Sequence, residues 1–439
     1  MSFLDLMKGV WRRLFPIKDI KRALNVKPAI TQDMADNIDK WYKCYAGKAD
    51  WLNDSVKSLR LEKSIVREFS NIVLNEMTVK ISSPKLQEIY DNTTKDLNMN
   101  LQKGLATGAM VMKPLGADKA QILGQNNFIP LEYDSDKRMT KCIFPDLKRT
   151  GNKYFVRFEH HDLDPINGLT INNYAFVSSN NGQSWIEIPL DSVEEWADLE
   201  TSITYPLMLR PAYGYFRVPV DNTIDESPCG VSVFESALEM IRLADIQFGR
   251  LDWEFESGER GVFANESLLK KKKLARLKKR LFHSVDSDDE NLIKEFSPQL
   301  RHEGFIAGLD TYKRNIEFEV GLSYGDISNP QSVDKTAEEI KTSKQRKYNT
   351  VTAIQENLKD CLEDFVFALA FYNEMATQKY DFICNFKDSI LTDEDKERQR
   401  DKEDVALGVM PLEEYRAKWY SEDIETAKSK LPKTADVID

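Results

Sequence analysis

Apolar positions in this chain change their period along its length. From about residue 30 to 112 they recur at helical spacing. "SLRLEKSIVREFSNIVLNEM" sets Leu61, Ile65, Phe69, Ile72 and Leu74 near one face, and "NIDKWYKCYAGKADW" supplies Trp41, Tyr45 and Trp51. "LQEIYDNTTKDLNMNLQKGLATGAMVM" continues the pattern. From about 113 the texture changes to short, aromatic-rich, partly alternating runs: "FIPLEYDSDKRMTKCIFPDL", "YFVRFEHHDL", "NNYAFVSSNNGQSWIEIPL" and "PLMLRPAYGYFRVPV". Asn, Gly, Asp and Pro break them, which predicts antiparallel strands and hairpins.

The helical period then returns. Phe234, Leu238, Ile241, Ala244, Phe248, Leu251 and Phe255 follow in steps of 4, 3, 3, 4, 3 and 4, one stripe along a helix of some 25 residues. "HEGFIAGLDTYKRNIEFEV" repeats it with Phe305, Leu309, Tyr312 and Ile316. Between the two lies an excursion of roughly 40 residues: the strand-like "RGVFANESLL", a basic block and the acidic "DSDDE". "GLSYGDISNPQSVD" reads as a loop of turn formers. From Lys335 to Gln378 neither Pro nor Gly interrupts 44 residues, and Val351, Ile354, Leu358, Cys361, Phe365, Leu369 and Tyr372 form the stripe. A straight helix of that length spans roughly 65 Å. After the short run "YDFICNF" the tail is charged helix with little apolar content up to "PLEEYRAKWYSEDIETAKSKL". The expected class is therefore α+β, mainly helical. The apolar stripes leave two readings open, a self-contained core or burial against neighbouring copies. The narrow stripes on the paired helices favour a mixture of the two.

Length changes the picture first: 439 residues suggest two or three domains. No run of 18 apolar residues occurs, so no membrane span is expected. The start lacks the pattern of a secretory signal and reads as a short amphipathic helix with Phe3, Leu6, Val10 and Leu14 on one side. Five scattered cysteines without a CxxC pair suggest neither a disulfide framework nor a zinc site, and fit a reducing compartment. The formal charge is −11, yet residues 270–280, "KKKKLARLKKR", hold eight basic side chains. Taking those eight from −11 leaves −19 for the remainder. A solvated face, a docking site for an acidic partner and a DNA contact all fit such a block.

Catalytic motifs fail on context. "GLSYG" at 321–325 matches G-x-S-x-G, but a nucleophile elbow needs a helix after the turn, and here Pro330 follows in an irregular loop. His160, His161, His283 and His302 all precede Ser323, against the order Ser, acid, His. There is no P-loop motif, and "DSDDEN" has Asn291 and Ser297 where a calcium loop needs Gly and Glu. His160 and His161 are adjacent in a strand-like run, so they point to opposite faces. The chain is expected to be no enzyme and to need no cofactor or metal.

The order of segments resembles the portal proteins of tailed double-stranded-DNA bacteriophages, in the long-tailed branch. "WYKCYAGKADW" is similar to the aromatic-Gly-Trp segment near that family's N-terminus, followed by "LEKSIVREFSNIVLNE" and "LQKGLATGAMVMKPL". "FIPLEYDSDKRMTKCIF" and "YFVRFEHH" resemble its sheet, and "GVSVFESALEMIRLADIQFGRLDWEFESGERGVF" its stem helix running into the clip. "DKTAEEIKTSKQRKYNTV" resembles the start of the helix behind the tunnel loop, and "FKDSILTDEDKE" with "GVMPLEEYR" the last segment. The resemblance implies a wing over 1–230, a stem helix over 231–257, a clip over 258–299, a second stem helix over 300–320, a tunnel loop over 321–334, a long wing helix over 335–379 and a crown over 380–439.

It further implies a ring of twelve copies at one capsid vertex, in the virion and, during assembly, in the host cytoplasm. Genomic double-stranded DNA would pass through the channel without sequence specificity. Terminase large subunit and head-tail adaptor would dock on the clip, and major capsid and scaffold proteins would surround the ring. Twelve copies at −11 make −132, a wall from which phosphate slides rather than one that grips it. Position assigns partner binding to Lys270, Lys271, Lys272, Lys273, Arg276, Lys278, Lys279 and Arg280. It assigns the channel to Ser323, Tyr324, Asp326, Asn329, Gln331, Lys335, Lys341 and Lys344, in a loop whose Gly and Pro content suits a mobile hairpin. The rival is a monomeric adaptor or scaffold that binds acidic partners through the basic block.

Overall fold

In a computed structural model the chain is described over residues 17–75, 77–179, 184–206, 208–265, 282–285, 292–330, 337–375, 379–386, 394–420 and 423–431. The N-terminal 16 residues, the basic block at 270–280 and "DSDDE" at 286–290 lie outside the described residues.

Most of the first part is helical, as its period predicts, in α1 (Ile17–Leu24), α2 (Gln32–Tyr45), α3 (Leu61–Leu74), α4 (Pro84–Thr93) and α5 (Leu97–Thr107), but two stretches expected to be helical are strands: β1 (Thr78–Ile81), and residues 109–112, which begin the strand that follows α5. Thr31 caps α2 by accepting the Met34 amide at 3.2 Å, and Asp225 takes the Thr31 amide and hydroxyl. Nine strands follow among the described residues: β2 (Ala109–Pro114), β3 (Ala120–Gly124), β4 (Ile129–Tyr133), β5 (Met139–Thr150), β6 (Lys153–Asp164), β7 (Gly168–Ser178), β8 (Ile186–Ile188), β9 (Ser202–Tyr205) and β10 (Gly214–Arg217), while β1 finds its partner further along the chain. β4 to β8 form an antiparallel meander in chain order, β9 pairing with β7, and β10-β2-β3 forms a second antiparallel sheet. The short alternating runs thus fold as the pattern predicts. His161 is buried and His160 only half-buried, on opposite faces of β6.

Next comes α6 (Leu238–Ser257), then a small sheet of β11 (Gly261–Asn265), β12 (Phe282–Val285) and β13 (Ile293–Phe296) in the order β12-β11-β13, then α7 (His302–Val320). α6 and α7 pack together as a hairpin. α6 is 20 residues, shorter than its apolar stripe: Phe234 is buried in the non-helical segment ahead of it. Along the stripe burial decays. Leu238, Ile241 and Ala244 are buried, Phe248 and Leu251 half-buried, and Phe255 exposed. At the far end Arg301 grips the buried Glu254 through its amide at 2.8 Å and its guanidinium at 2.8 and 3.2 Å.

α8 (Ala337–Tyr372) is the long helix, 36 residues instead of the expected 44. It ends before Glu374, whose φ of 57° no helix carries. Val351, Ile354, Leu358, Cys361, Leu362, Phe365, Val366, Leu369 and Ala370 are all fully buried. Between Cys361 and Ala370 only Glu363 is exposed. Complete burial of each large apolar side chain contributes about 1.5–3 kcal/mol. The cover is the chain's own sheet, because α8 lies against β10 and β2. Gly214 allows that approach: a Cβ there would lie 2.1 Å from the Cys361 carbonyl oxygen. The stripe of α8 is therefore self-contained, and of the two open readings only the hairpin keeps the second.

β14 (Phe382–Asn385) pairs with β1. Residues 385–439 with 74–78 form a separate compact unit. Its described helices are α9 (Glu394–Ala406), α10 (Leu412–Tyr420) and α11 (Ile424–Ser429). Asp401 joins the first two by accepting the Trp419 indole at 2.9 Å and pairing with Lys418 at 2.7 Å. The architecture is α+β with 45% helix and 23% strand, hence mainly helical. All five cysteines are buried and none forms a disulfide.

Candidate functional site

The loop leaving α7 gathers most of the described residues that the sequence singles out. Gly321 ends α7 in the left-handed region, φ 82°, where a side chain would meet Thr350. The turns after it close around one carboxylate. Glu317, fully buried in the last turn of α7, accepts the amides of Gly325 at 3.0 Å, Ile327 at 2.6 Å and Ser328 at 2.8 Å through Oε1. Its Oε2 accepts the Ser328 hydroxyl at 2.8 Å. Asp310, two turns earlier, accepts the Asn329 amide at 2.8 Å.

α8 holds the other side. The Ser343 hydroxyl accepts the Tyr324 amide at 2.9 Å, and the Ser343 carbonyl accepts the Ser323 hydroxyl at 3.3 Å. Lys347 bridges Asp326 at 3.0 Å and Glu68 at 3.4 Å. The Arg346 guanidinium lies over the Phe318 and Tyr324 rings at 4.6 and 5.2 Å and donates to the Leu322 carbonyl at 3.2 Å.

Ser323, Tyr324, Asp326 and Asn329 are thus brought together, with their backbone amides or side chains committed to the loop's own support. Over residues 321–330 the loop is bound to the helices on either side through Glu317, Asp310 and Ser343. Gly and Pro mark where a chain turns, but whether the turn moves depends on what takes its amides, here Glu317 and Asp310. Ser323 is not set up as a nucleophile, since its hydroxyl donates to a backbone carbonyl. Lys344 is exposed on α8, and Lys341 lies near the start of that helix. Gln331 and Lys335 lie outside the described residues, as do Lys270, Lys271, Lys272, Lys273, Arg276, Lys278, Lys279 and Arg280. Sequence reasoning missed Glu317, Ser343, Arg346 and Lys347. The one available signal was an acid beside the stripe residue Ile316 in the last turns of α7.

A second polar cluster lies inside the sheets. Glu159 on β6 pairs with Lys113 of β2 at 2.5 Å, with Arg157 at 3.1 Å and with the His161 ring at 2.7 Å. Burial raises the Glu159 carboxyl, but Lys113, His161 and Arg157 outweigh it and hold it well below the usual carboxylate range. Burial lowers His161, against the pull of Glu159. The ring sits edge-on to Phe144 at 5.2 Å, and its Nδ1 has no hydrogen-bond partner. Every charge here meets another, so the cluster is a core ion network. Among the described residues no group of three or more His, Cys, Asp or Glu is arranged to hold a metal.

No protein-family model and no curated protein matches this chain.

Proposed function

We propose that the protein is the subunit of a portal ring: a twelve-copy channel at one vertex of a phage capsid through which double-stranded DNA is packaged and ejected. The observation that carries this reading is the hairpin of α6 and α7. Its base is buried in the body, while its outer part leaves Trp253 at 66%, Phe255 at 45% and Ile306 at 49% exposed. Large apolar groups in a row on one hairpin favour burial against identical neighbours. The chain order supports it as well: helices, antiparallel sheets, helix, small sheet, helix, short loop, core-spanning helix and a separate helical unit. In this reading the wing is residues 1–230, the hairpin the stem, β11 to β13 the clip, 321–334 the tunnel loop and 380–439 the crown. The basic block of 270–280 then belongs to the clip, where terminase and adaptor dock. The subunit's role is structural and involves no chemistry of its own. A wall of net charge −132 over twelve copies at −11 lets the phosphate backbone pass without adhesion.

One observation favours a rival. α8 hides its apolar side within a single chain, as a monomeric adaptor would. Mass and imaging separate the two: a ring of twelve 50.6 kDa chains weighs about 600 kDa and shows a central hole. A 50.6 kDa species at every concentration and salt would leave the adaptor reading.

A further inference from the structure

The base of the hairpin is held by a joint made almost wholly of acids and neutral donors. Asp245, fully buried on α6, accepts the Leu59 amide at 2.7 Å and the Trp51 indole at 2.9 Å. Glu235, just ahead of α6, accepts the indole of Trp41 on α2. Residues 46–60 lie close against α6: a Cβ on Gly249 would sit 2.3 Å from the Ser55 carbonyl oxygen. At the surface Lys57 pairs with Asp252 at 3.0 Å. Inside the joint is Glu62, in the first turn of α3, 1% exposed, with no hydrogen bond from another residue to either carboxyl oxygen.

The groups facing Glu62 do not neutralise it. Asp245 stands on α6 and Cys44 on α2, and Arg60 precedes Glu62 in its own segment. The Arg60 guanidinium is occupied, donating to the carbonyls of Ala46 at 2.8 Å and Tyr45 at 3.4 Å. Around Cys44 stand Glu235, Asp50 and Lys40 as well. An ionised Glu62 would be a buried, unsolvated charge beside another acid, and such a charge costs several kilocalories unless it is paired.

We propose that this joint is proton-sensitive: it closes around a neutral Glu62 and loosens when that carboxyl gives its proton to water. Burial first, then Asp245, pushes Glu62 up to about 7, against its own amide and Arg60. Burial also raises Asp245 and Glu235. The sign follows. In the open joint Glu62 ionises around its ordinary 4.5, and in the closed joint only around 7. Closure is therefore strongest below 4.5, weakens as pH rises through that window and is level above it. Loosening frees the first hairpin helix from residues 46–60 while the fully buried core of α8 stays packed. The device belongs to the single chain and holds whether or not copies form a ring.

Amide exchange of the purified full-length chain tests it, read at residues 51–62 and 241–252 and corrected for the intrinsic pH effect. The opening constant of the natural chain should rise on the order of 100-fold between pH 4.5 and 7. Glu62→Gln should lose most of that rise. A flat opening constant in the natural chain, or an undiminished rise in Glu62→Gln, overturns the proposal. Should that variant not fold, infrared titration of the natural chain decides. A protonated carboxyl band that persists to about pH 7 supports the proposal, and its loss by about pH 5.5 overturns it.

Discussion

At the scale of single residues, charge inside the molecule is managed in two opposite ways. Glu159 is ionised and surrounded by cations; Glu62 has none bound to it. Their pH dependences run against each other. A carboxyl held low, like Glu159, contributes stability that is full above its ordinary value of 4.5 and is lost as pH falls through its lowered value. His161, lowered by burial, contributes stability that is full above 6.5 and is lost as pH falls below it. Glu159→Gln leaves Lys113, 4% exposed, without its carboxylate, and should destabilise the chain by about 3–5 kcal/mol in urea unfolding at pH 7. Adding Lys113→Met should recover part of that loss. If the single variant is as stable as the natural chain, the ion network contributes nothing. The sequence shows His160, His161 and Glu159 within a strand, but not Lys113, which lies 46 positions earlier and meets Glu159 only when β2 is packed over β6.

At the scale of elements, the loop after α7 is a latch set by the helix before it. Glu317→Ala leaves the Ile327 and Ser328 amides and the Ser328 hydroxyl without their acceptor, and the Gly325 amide with only the Ser328 hydroxyl, at a cost of about 1–3 kcal/mol. Exchange of the Gly325, Ile327 and Ser328 amides should quicken, while Val351 to Leu369 stays protected. If those three amides exchange at the natural rate, α8 alone holds the loop. The turn formers were legible in "GLSYGDISNPQSVD", and so was the helix on either side. The latch was not, because composition names the residues that bend a chain and leaves out the residue that binds their amides. The two helices differ in the same way. Both α6 and α8 carry a regular stripe, yet one fades to an exposed Phe255 and the other stays fully buried from Val351 to Leu369.

At the scale of the whole molecule, the proposed ring depends on what the outer hairpin leaves uncovered. Trp253→Ser, Phe255→Ser and Ile306→Ser together should shift the mass distribution from about 600 kDa toward the 50.6 kDa chain, as twelve copies lose their shared apolar contacts. Because the three side chains are exposed in the single chain, its unfolding free energy should change by no more than about 0.5 kcal/mol each. Assembly that survives the triple change would remove the hairpin from the interface. In the proposed ring the net charge of −11 belongs to this scale too, since only its sum over copies would act on a passing duplex.

The amino-acid order by itself determined most of the helices and strands, where the chain turns, and that helix dominates an α+β fold, while Thr78–Ile81 and the ends of α6 and α8 departed from the local period. Period and turn chemistry are local, and local geometry settles them. Tertiary structure alone decided which stripes are covered, which carboxyls are paired, and that ten residues of a glycine-containing loop are fastened. Burial and pairing depend on groups far apart in the chain, and no local period records which of them will meet.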